Sequence, residues 1–441
     1  MRVGILGGGL TGLALANLLD RRRFAVGVLE AGKECGGLCR SVREDGWTFD
    51  RGSHVLFSRD REALGFMLGA LRGNLEQRRR NTKVFYKGRL VKYPFENGLS
   101  GLPLNENFEC LAHYAGACVM RKMKAGKPGN FEEWLRLRFG NGIAEKYLIP
   151  YNGKIWNLPP REMGVEWVEG RVPEPPLFDV VKSSLGLPVE GYTHQLDFHY
   201  PGMGGIQALT DSLQKTAAAK ITANFKIKKV AREDGEWIVS DGKRERCYDR
   251  IVSTIPIHEF ARAFEDLPKG VRKAVSRLRY NSLIAVAVGV DAPKLNDISW
   301  MYFPRREEGL FNRVSFPSNF SQNVAPKGKS LALSEITAIE GDEAWGMKDG
   351  EVAESVVASL HKAGIVDKGK VSFLKVVRAK HAYILHDLEW ARNSDAAREF
   401  FAAAGVELAG RFSEFRYLNM DACVRSAISC ARRLSGISGW I

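Results

Sequence analysis

The 441-residue chain lacks the features that define several large classes of protein. Its 7 cysteines (35, 39, 110, 118, 247, 423 and 430) form no C-x-x-C pair and no regular ladder. That scattered, odd set excludes a secreted disulfide framework and reads as reduced thiols of a cytoplasmic protein. No cysteine/histidine spacing suits a metal, and neither H-E-x-x-H nor G-x-S-x-G occurs, so metal-assisted and serine-hydrolase chemistry are not expected. No apolar run is long enough to cross a bilayer. The stretch from Val3 to Leu19 holds five glycines, has no small-residue cleavage site and runs into Arg21-Arg22-Arg23, which argues against a signal peptide. Acidic residues number 51 against 65 basic ones, a net charge of +14. The surplus favours anionic partners. Basic residues are not interleaved with aromatics as a nucleic-acid face requires, so no nucleic acid is expected. Arg21–Arg23 and Arg78–Arg80 read as solvated helix ends.

What is present is ordinary globular material: 45% apolar, 26% charged and 10% aromatic, enough for a large core in two or three lobes. The opening reads strand, turn, helix, strand. Val3–Leu6 is a short apolar strand, Gly7-Gly8-Gly9 a tight turn, and a helix begins near Leu10. Ala25–Glu30 is a second strand that ends in an acid, so a parallel sheet follows. From Phe108 to Leu148 the pattern is helical, broken at Gly126–Gly129. Ile284–Val290 and Leu331–Ile336 read as central strands of a second sheet, and the chain ends in a helix carrying Val424, Ala427, Ile428, Ala431 and Leu434 on one face. The fold class is therefore α/β. A Rossmann-like lobe with a parallel sheet is expected from residues 1–80, 200–265 and 400–441. An inserted α+β lobe with an antiparallel sheet is expected from 81–199 and 266–399, its helical part at about 105–160.

Gly7-x-Gly9-x-x-Gly12 directly follows a strand and opens a helix. The first glycine permits the turn, the second admits a pyrophosphate to the backbone, and the third lets helix and strand pack closely. The phosphates then meet the free N–H groups at the helix N-terminus. Glu30 can accept hydrogen bonds from ribose hydroxyls. The motif fits NAD or FAD equally. Gly36-Gly37 and Asp50-Arg51-Gly52-Ser53-His54 add two more glycine turns, as a ligand longer than a mononucleotide would need. Arg171 and Arg313 sit in uncharged or apolar neighbourhoods, and arginine's planar fork suits a diphosphate.

Together these motifs resemble UDP-galactopyranose mutases, within the flavin amine-oxidase and protoporphyrinogen-oxidase superfamily. The resemblance runs from Val3 to about Leu434. It is carried by Gly52-Ser53-His54-Val55-Leu56-Phe57-Ser58, Lys92-Tyr93-Pro94-Phe95-Glu96-Asn97, Pro150-Tyr151-Asn152 with Trp156, Gly170-Arg171-Val172, Arg313–Asn319, and Gly410-Arg411 through Tyr417 to Asn419-Met420-Asp421. It implies FAD as cofactor, active when reduced, and a UDP-sugar as substrate. The reaction implied is interconversion of UDP-galactopyranose and UDP-galactofuranose by covalent catalysis through flavin N(5). His54, Arg171 and Arg313 would be the catalytic set, His54 beside the flavin and the two arginines on the diphosphate. Tyr93, Phe95, Tyr147, Asn152, Trp156, Tyr383 and Tyr417 would bind substrate, with Phe95 and Tyr147 sandwiching the uracil. Gly7, Gly9, Leu10, Thr11, Gly12, Glu30, Gly36, Gly37, Leu38, Gly52, Ser53, His54, Ile227, Gly410, Arg411, Asn419 and Met420 would hold the cofactor. An electron donor such as NAD(P)H or a reduced carrier, and self-association as a homo-oligomer, are the remaining partners expected. Glu96 stands where such mutases carry glutamine. The competing reading is a redox flavoenzyme of the amine oxidase or protoporphyrinogen oxidase type.

Overall fold

Two sheets organise the chain in a computed structural model that describes residues 1–123, 126–168, 174–189 and 196–436. The first has five parallel strands in the order Glu407–Leu408, Arg250–Ser253, Arg2–Leu6, Ala25–Leu29, Ala219–Thr222. Both ends of the sequence and its middle therefore meet in one sheet. Val3, Ile5, Leu6, Val28 and Val252 are wholly buried, as strands covered on both faces must be. Helices Leu10–Leu18, Gln207–Thr216 and Met420–Leu434 supply Leu13, Leu209, Leu213, Val424 and Ile428 to one face. Ile257–Ala263 and Trp390–Ala403 bring Ile257, Phe260 and Phe401 to the other.

The second sheet has seven strands: Val371–Ile384, Tyr280–Val290, Ser330–Ala338, Arg313–Ser315, Trp300–Tyr302, Thr82–Tyr86 and Arg89–Lys92. It is antiparallel except between Trp300–Tyr302 and Thr82–Tyr86. Helix Asp349–Lys362 closes one face through Val352, Val356 and Leu360. A helical region (Leu104–Lys122, Phe131–Ile143, Ile149–Trp156 and Leu177–Ser184) leans on the edge strands. Among the described residues no helix is long and apolar enough to cross a membrane, and no group of three or more His, Cys, Asp or Glu could hold a metal ion.

One local expectation fails. Glu76–Arg79 is a strand, not a helix end, paired antiparallel with Asp197–Tyr200 from Glu76↔Tyr200 to Arg79↔Asp197. The apolar residues of this ribbon, Phe198 and Tyr200, all lie on the partner strand, so a run of Arg and Gln carries no strand signature of its own. Arg80, just past it, leaves the surface and enters the site described next. Arg21–Arg23 is an exposed turn beyond the end of the first helix, as expected.

Candidate active site

A cleft of about 710 Å³ runs along the carboxyl ends of the parallel strands, where Gly7, Glu30 and Thr254 emerge, and continues under the second sheet. Ligands of open parallel sheets bind at that edge because strand-to-helix turns converge there. Gly7, Gly9, Leu10, Thr11, Glu30, Gly36, Gly37, Leu38, Ser53, His54, Arg411, Asn419 and Met420 all line it. Gly12, Gly52, Gly410 and Ile227 do not. Gly12 acts from behind: a Cβ there would sit 2.1 Å from the Gly7 carbonyl oxygen, so only glycine lets the first helix rest against its strand. Gly410 has φ +90° and its Cβ would meet Thr11 Oγ1 at 2.5 Å. Ile227 packs at the margin of the core under the helices Ile257–Ala263 and Trp390–Ala403.

This half of the cleft fits a dinucleotide. The helix from Leu10 has no side-chain cap and no acid in its first turn, so its leading N–H groups are free to face an anion. Glu30 accepts from Gly8 N–H at 2.8 Å and Gly32 N–H at 2.7 Å. Each of its oxygens keeps a lone pair for a ribose hydroxyl.

The other half is charged and aromatic. Arg313 and Glu335 are direct cross-strand neighbours, and Arg313 Nη2 donates to both Glu335 oxygens at 2.8 and 2.6 Å. Glu335 is 1% exposed. Ser53 N–H donates to the same carboxylate at 2.7 Å, which ties the His54 loop to the second sheet. Burial alone would lower the Arg313 pKa, but Glu335, together with Tyr383, Tyr302 and Tyr151, more than offsets it and raises it. Burial pushes His54 down to about 4; Glu335 opposes that, while Arg313 and Arg411 add to it. The imidazole is therefore neutral at neutral pH, with Nδ1 buried and unpartnered. Arg411 lies over the rings of Tyr383 (5.2 Å) and Tyr417 (4.7 Å). Its Nε and Nη2 are buried without a partner. Leaving such donors unmade is costly, and a ligand oxygen would satisfy them.

The expected substrate residues divide. Tyr93, Arg313, Tyr383 and Tyr417 line the cleft. Phe95, Tyr147, Asn152 and Trp156 stand behind the lining, in and around the core of the helical region. Phe95 and Tyr147 stack on each other with centroids 4.9 Å apart and planes 15° apart. A base between two rings needs about 7 Å, twice an aromatic contact distance. No uracil slot therefore exists between them in this conformation. Tyr151 continues the stack at 5.4 Å from Tyr147. Arg171 lies outside the described residues.

Sequence reasoning missed Glu335, Tyr302 and Arg80. Glu335 could have been found, being the one acid in the otherwise uncharged strand Ser330–Ala338. Tyr302 faces both Tyr93 and Tyr151 at 5.1 Å. Arg80 lies between the rings of Tyr93 (4.9 Å) and Trp300 (4.8 Å), an arrangement that no local signal announces.

A glycine-turn cradle on a parallel sheet, joined to an aromatic antiparallel lobe, defines a flavin-dependent enzyme of the amine-oxidase fold. The chain belongs to the flavin containing amine oxidoreductase family, whose model matches residues 10–435. Its curated relatives include the chloroplastic protoporphyrinogen oxidase of Nicotiana tabacum, 21% identical, covering 98% of this chain and 85% of that protein. Among solved structures, a reduced UDP-galactopyranose mutase superposes with a TM-score of 0.91 at 24% identity, covering 100% of this chain and 96% of the other. A putrescine oxidase bound to putrescine gives 0.71 at 16% identity, with 99% of each chain covered. At such identities the structures speak for the fold.

Proposed function

We propose that the protein is an FAD-dependent UDP-galactopyranose mutase, interconverting the six- and five-membered forms of a UDP-linked galactose. The observation that carries this reading is the cationic, aromatic end of the cleft. Arg313, and Arg411 with two unsatisfied buried donors, suit a nucleotide's diphosphate. An alkyl-ammonium substrate would instead meet the uncompensated guanidinium of Arg411, because the nearby Glu335 carboxylate is already paired with Arg313.

Gly7, Gly9 and the N-terminus of the first helix would hold the FAD pyrophosphate, and Glu30 the adenosine ribose. His54, Arg411, Asn419 and Met420 would surround the ring system. When bound and reduced, by NAD(P)H or another reduced carrier, the flavin would supply a nucleophile for the anomeric carbon. The rearrangement is redox-neutral: the bond from that carbon to UDP breaks, the sugar ring reopens and closes through another hydroxyl, and UDP returns. The protein's part is to stabilise the departing diphosphate with Arg313 and Arg411 and to keep it in place for its return. Glu335 and the Ser53 N–H hold Arg313 in a single orientation. Neutral His54 adds no further positive charge beside the ring system.

The test is anaerobic incubation of the holoprotein with UDP-galactopyranose, with and without dithionite. Furanose product only under reduction supports the reading, and no conversion overturns it. The likeness to protoporphyrinogen oxidases favours a second reading, an oxidoreductase. Flavin reduction by a porphyrinogen or an amine, without any mutase activity, would establish that instead.

A further inference from the structure

The glycine-lined end of the cleft is built mainly of main chain, yet two side-chain cations also reach it. Arg40 and Arg51 line the cleft beside Gly36, Gly37 and Ser53. Local folding brings the two together. Gly36 (φ +119°) and Gly37 (φ +56°) are consecutive residues in the left-handed region, and they lead through the single turn Gly37–Cys39, which doubles the chain back. Arg40 follows that turn and lies on it: a Cβ on Gly36 would sit 2.8 Å from Arg40 Cγ. Ser41–Glu44 and Trp47–Asp50 then form an antiparallel ribbon, from Ser41↔Asp50 to Glu44↔Trp47. Arg51 N–H donates to the Arg40 carbonyl at 3.1 Å, so the two arginines continue that register as a facing pair at the base of the ribbon. Asp50, which accepts from Ser41, Tyr200 and Ile206, anchors the base.

The two cations are unequally matched. Arg40 Nη2 donates to Glu34 Oε2 at 2.9 Å. Arg51 is partly buried, and its Nε is buried with no hydrogen-bond partner among the described residues. Burial lowers its pKa and Arg40 lowers it further, while the acid that opposes them is Glu34, already engaged by Arg40. A cation set beside another cation, with a buried donor unmade, is costly to hold in place. Core packing at this turn comes from Leu38, against Leu283, Ala379 and Ala382, and draws on neither guanidinium. An anion would satisfy the pair, and the backbone shows where one lies. Gly36 N–H donates to the Gly8 carbonyl at 2.8 Å, and Gly36 bridges to Gly9, the residue that opens the first helix. An anion received by the free N–H groups of that helix therefore has the arginine pair on its flank. A single phosphate is served by such a helix end alone. A second phosphate needs further donors, and the planar guanidinium fork matches its oxygens.

We propose that Arg51, assisted by Arg40, is a side-chain clamp for the pyrophosphate of the dinucleotide flavin, supplementing the N-terminus of the first helix. The proposal rests on the flavin part of the reading above and is independent of the sugar nucleotide.

The test is the release of FAD from the full-length holoprotein on dilution, read as the fluorescence of free flavin. Arg51→Ala should raise the FAD dissociation constant on the order of 10- to 100-fold, the loss expected for hydrogen bonds to a charged group. ADP, which carries a pyrophosphate and no flavin, should displace FAD from the wild type and lose affinity for the variant by a similar factor. Two readouts separate a clamp from a packing role. Added salt should weaken FAD binding more in the wild type than in Arg51→Ala, because screening acts on the charge that the variant lacks. Arg51→Lys, which keeps the charge without the fork, should recover part of the loss. Arg40→Ala should weaken FAD in the same direction but less, and its more exposed position gives a second reading if Arg51→Ala fails to fold. Arginine variants that hold FAD as the wild type does overturn the proposal. So does a loss of FAD that is indifferent both to salt and to Arg51→Lys. A wild type that takes up no FAD overturns the flavin reading itself. A protein that releases FAD on Arg51→Ala yet never converts UDP-galactopyranose upholds the clamp and removes the mutase.

Discussion

At the nucleotide end of the cleft a ligand meets main chain: glycine turns, a bare helix N-terminus and one carboxylate held by two backbone N–H groups. At the other end it meets side chains brought together from distant parts of the sequence, Arg313 beside Glu335 on neighbouring strands, and Arg411 of the loop before the last helix against Tyr383 and Tyr417. The first end is rigid because covalent geometry and close packing fix it. The second holds unsatisfied donors and a closed aromatic stack, so it is completed by what binds. The two ends should therefore fail in different ways when altered.

The largest effect should come from the backbone end. Gly12→Val places side-chain carbon against the Gly7 carbonyl and must separate helix from strand. We expect loss of bound flavin and of most folded protein, measured by the visible flavin spectrum and circular dichroism. A folded, yellow Gly12→Val protein would break the contrast.

Next is Arg313→Ala, which strands Glu335 as a buried, uncompensated charge and should cost about 3–5 kcal/mol in chemical denaturation. Replacing both partners by Met and Leu should recover much of that stability, and neither variant should restore turnover. Flavin should remain bound, since neither side chain belongs to the glycine cradle.

A smaller loss is expected at Asp50, the hub beneath the His54 loop. It accepts from Ser41 Oγ (2.7 Å), Tyr200 OH (2.9 Å) and Ile206 N–H (2.9 Å), and burial pushes its pKa up to about 6. Asp50→Ala should destabilise by about 1–3 kcal/mol by leaving those donors unpaired, read as a shifted denaturation midpoint.

The mildest effect is one of pH. His54 titrates near 4 when folded and near 6.5 when unfolded. Between those values the unfolded chain binds more protons, so stability falls as pH drops through this window and levels off below it. Relative to His54→Asn, the wild type should lose stability from pH 6.5 to 4.5. Parallel curves would show that His54 is not buried neutral.

The contrast also explains what could be read in advance. Gly7, Gly9, Gly12 and Glu30 were legible because backbone function is written in local spacing and strand–helix order. Arg313 was legible as a cation in an apolar loop. Its partner Glu335 was not, because the pair exists only through a strand register that joins residues 22 apart. Arg80 was misread for the same reason, its surroundings being Tyr93 and Trp300 and not the arginines beside it. Phe95 and Tyr147 were read as ligand contacts and are found touching one another. Sequence resemblance marks which residues gather there, and packing decides what occupies the space between them.

One measurement bears most directly on this picture: calorimetric titration of UDP into the flavin-loaded protein and into a flavin-loaded Arg313→Ala variant. Saturable binding to the wild type, weakened at least about 100-fold in the variant, is the expected result for a diphosphate held by a buried, hydrogen-bonded cation. UDP that fails to bind, or binds both proteins alike, would contradict the claim that this cleft grips a nucleotide diphosphate beside its flavin.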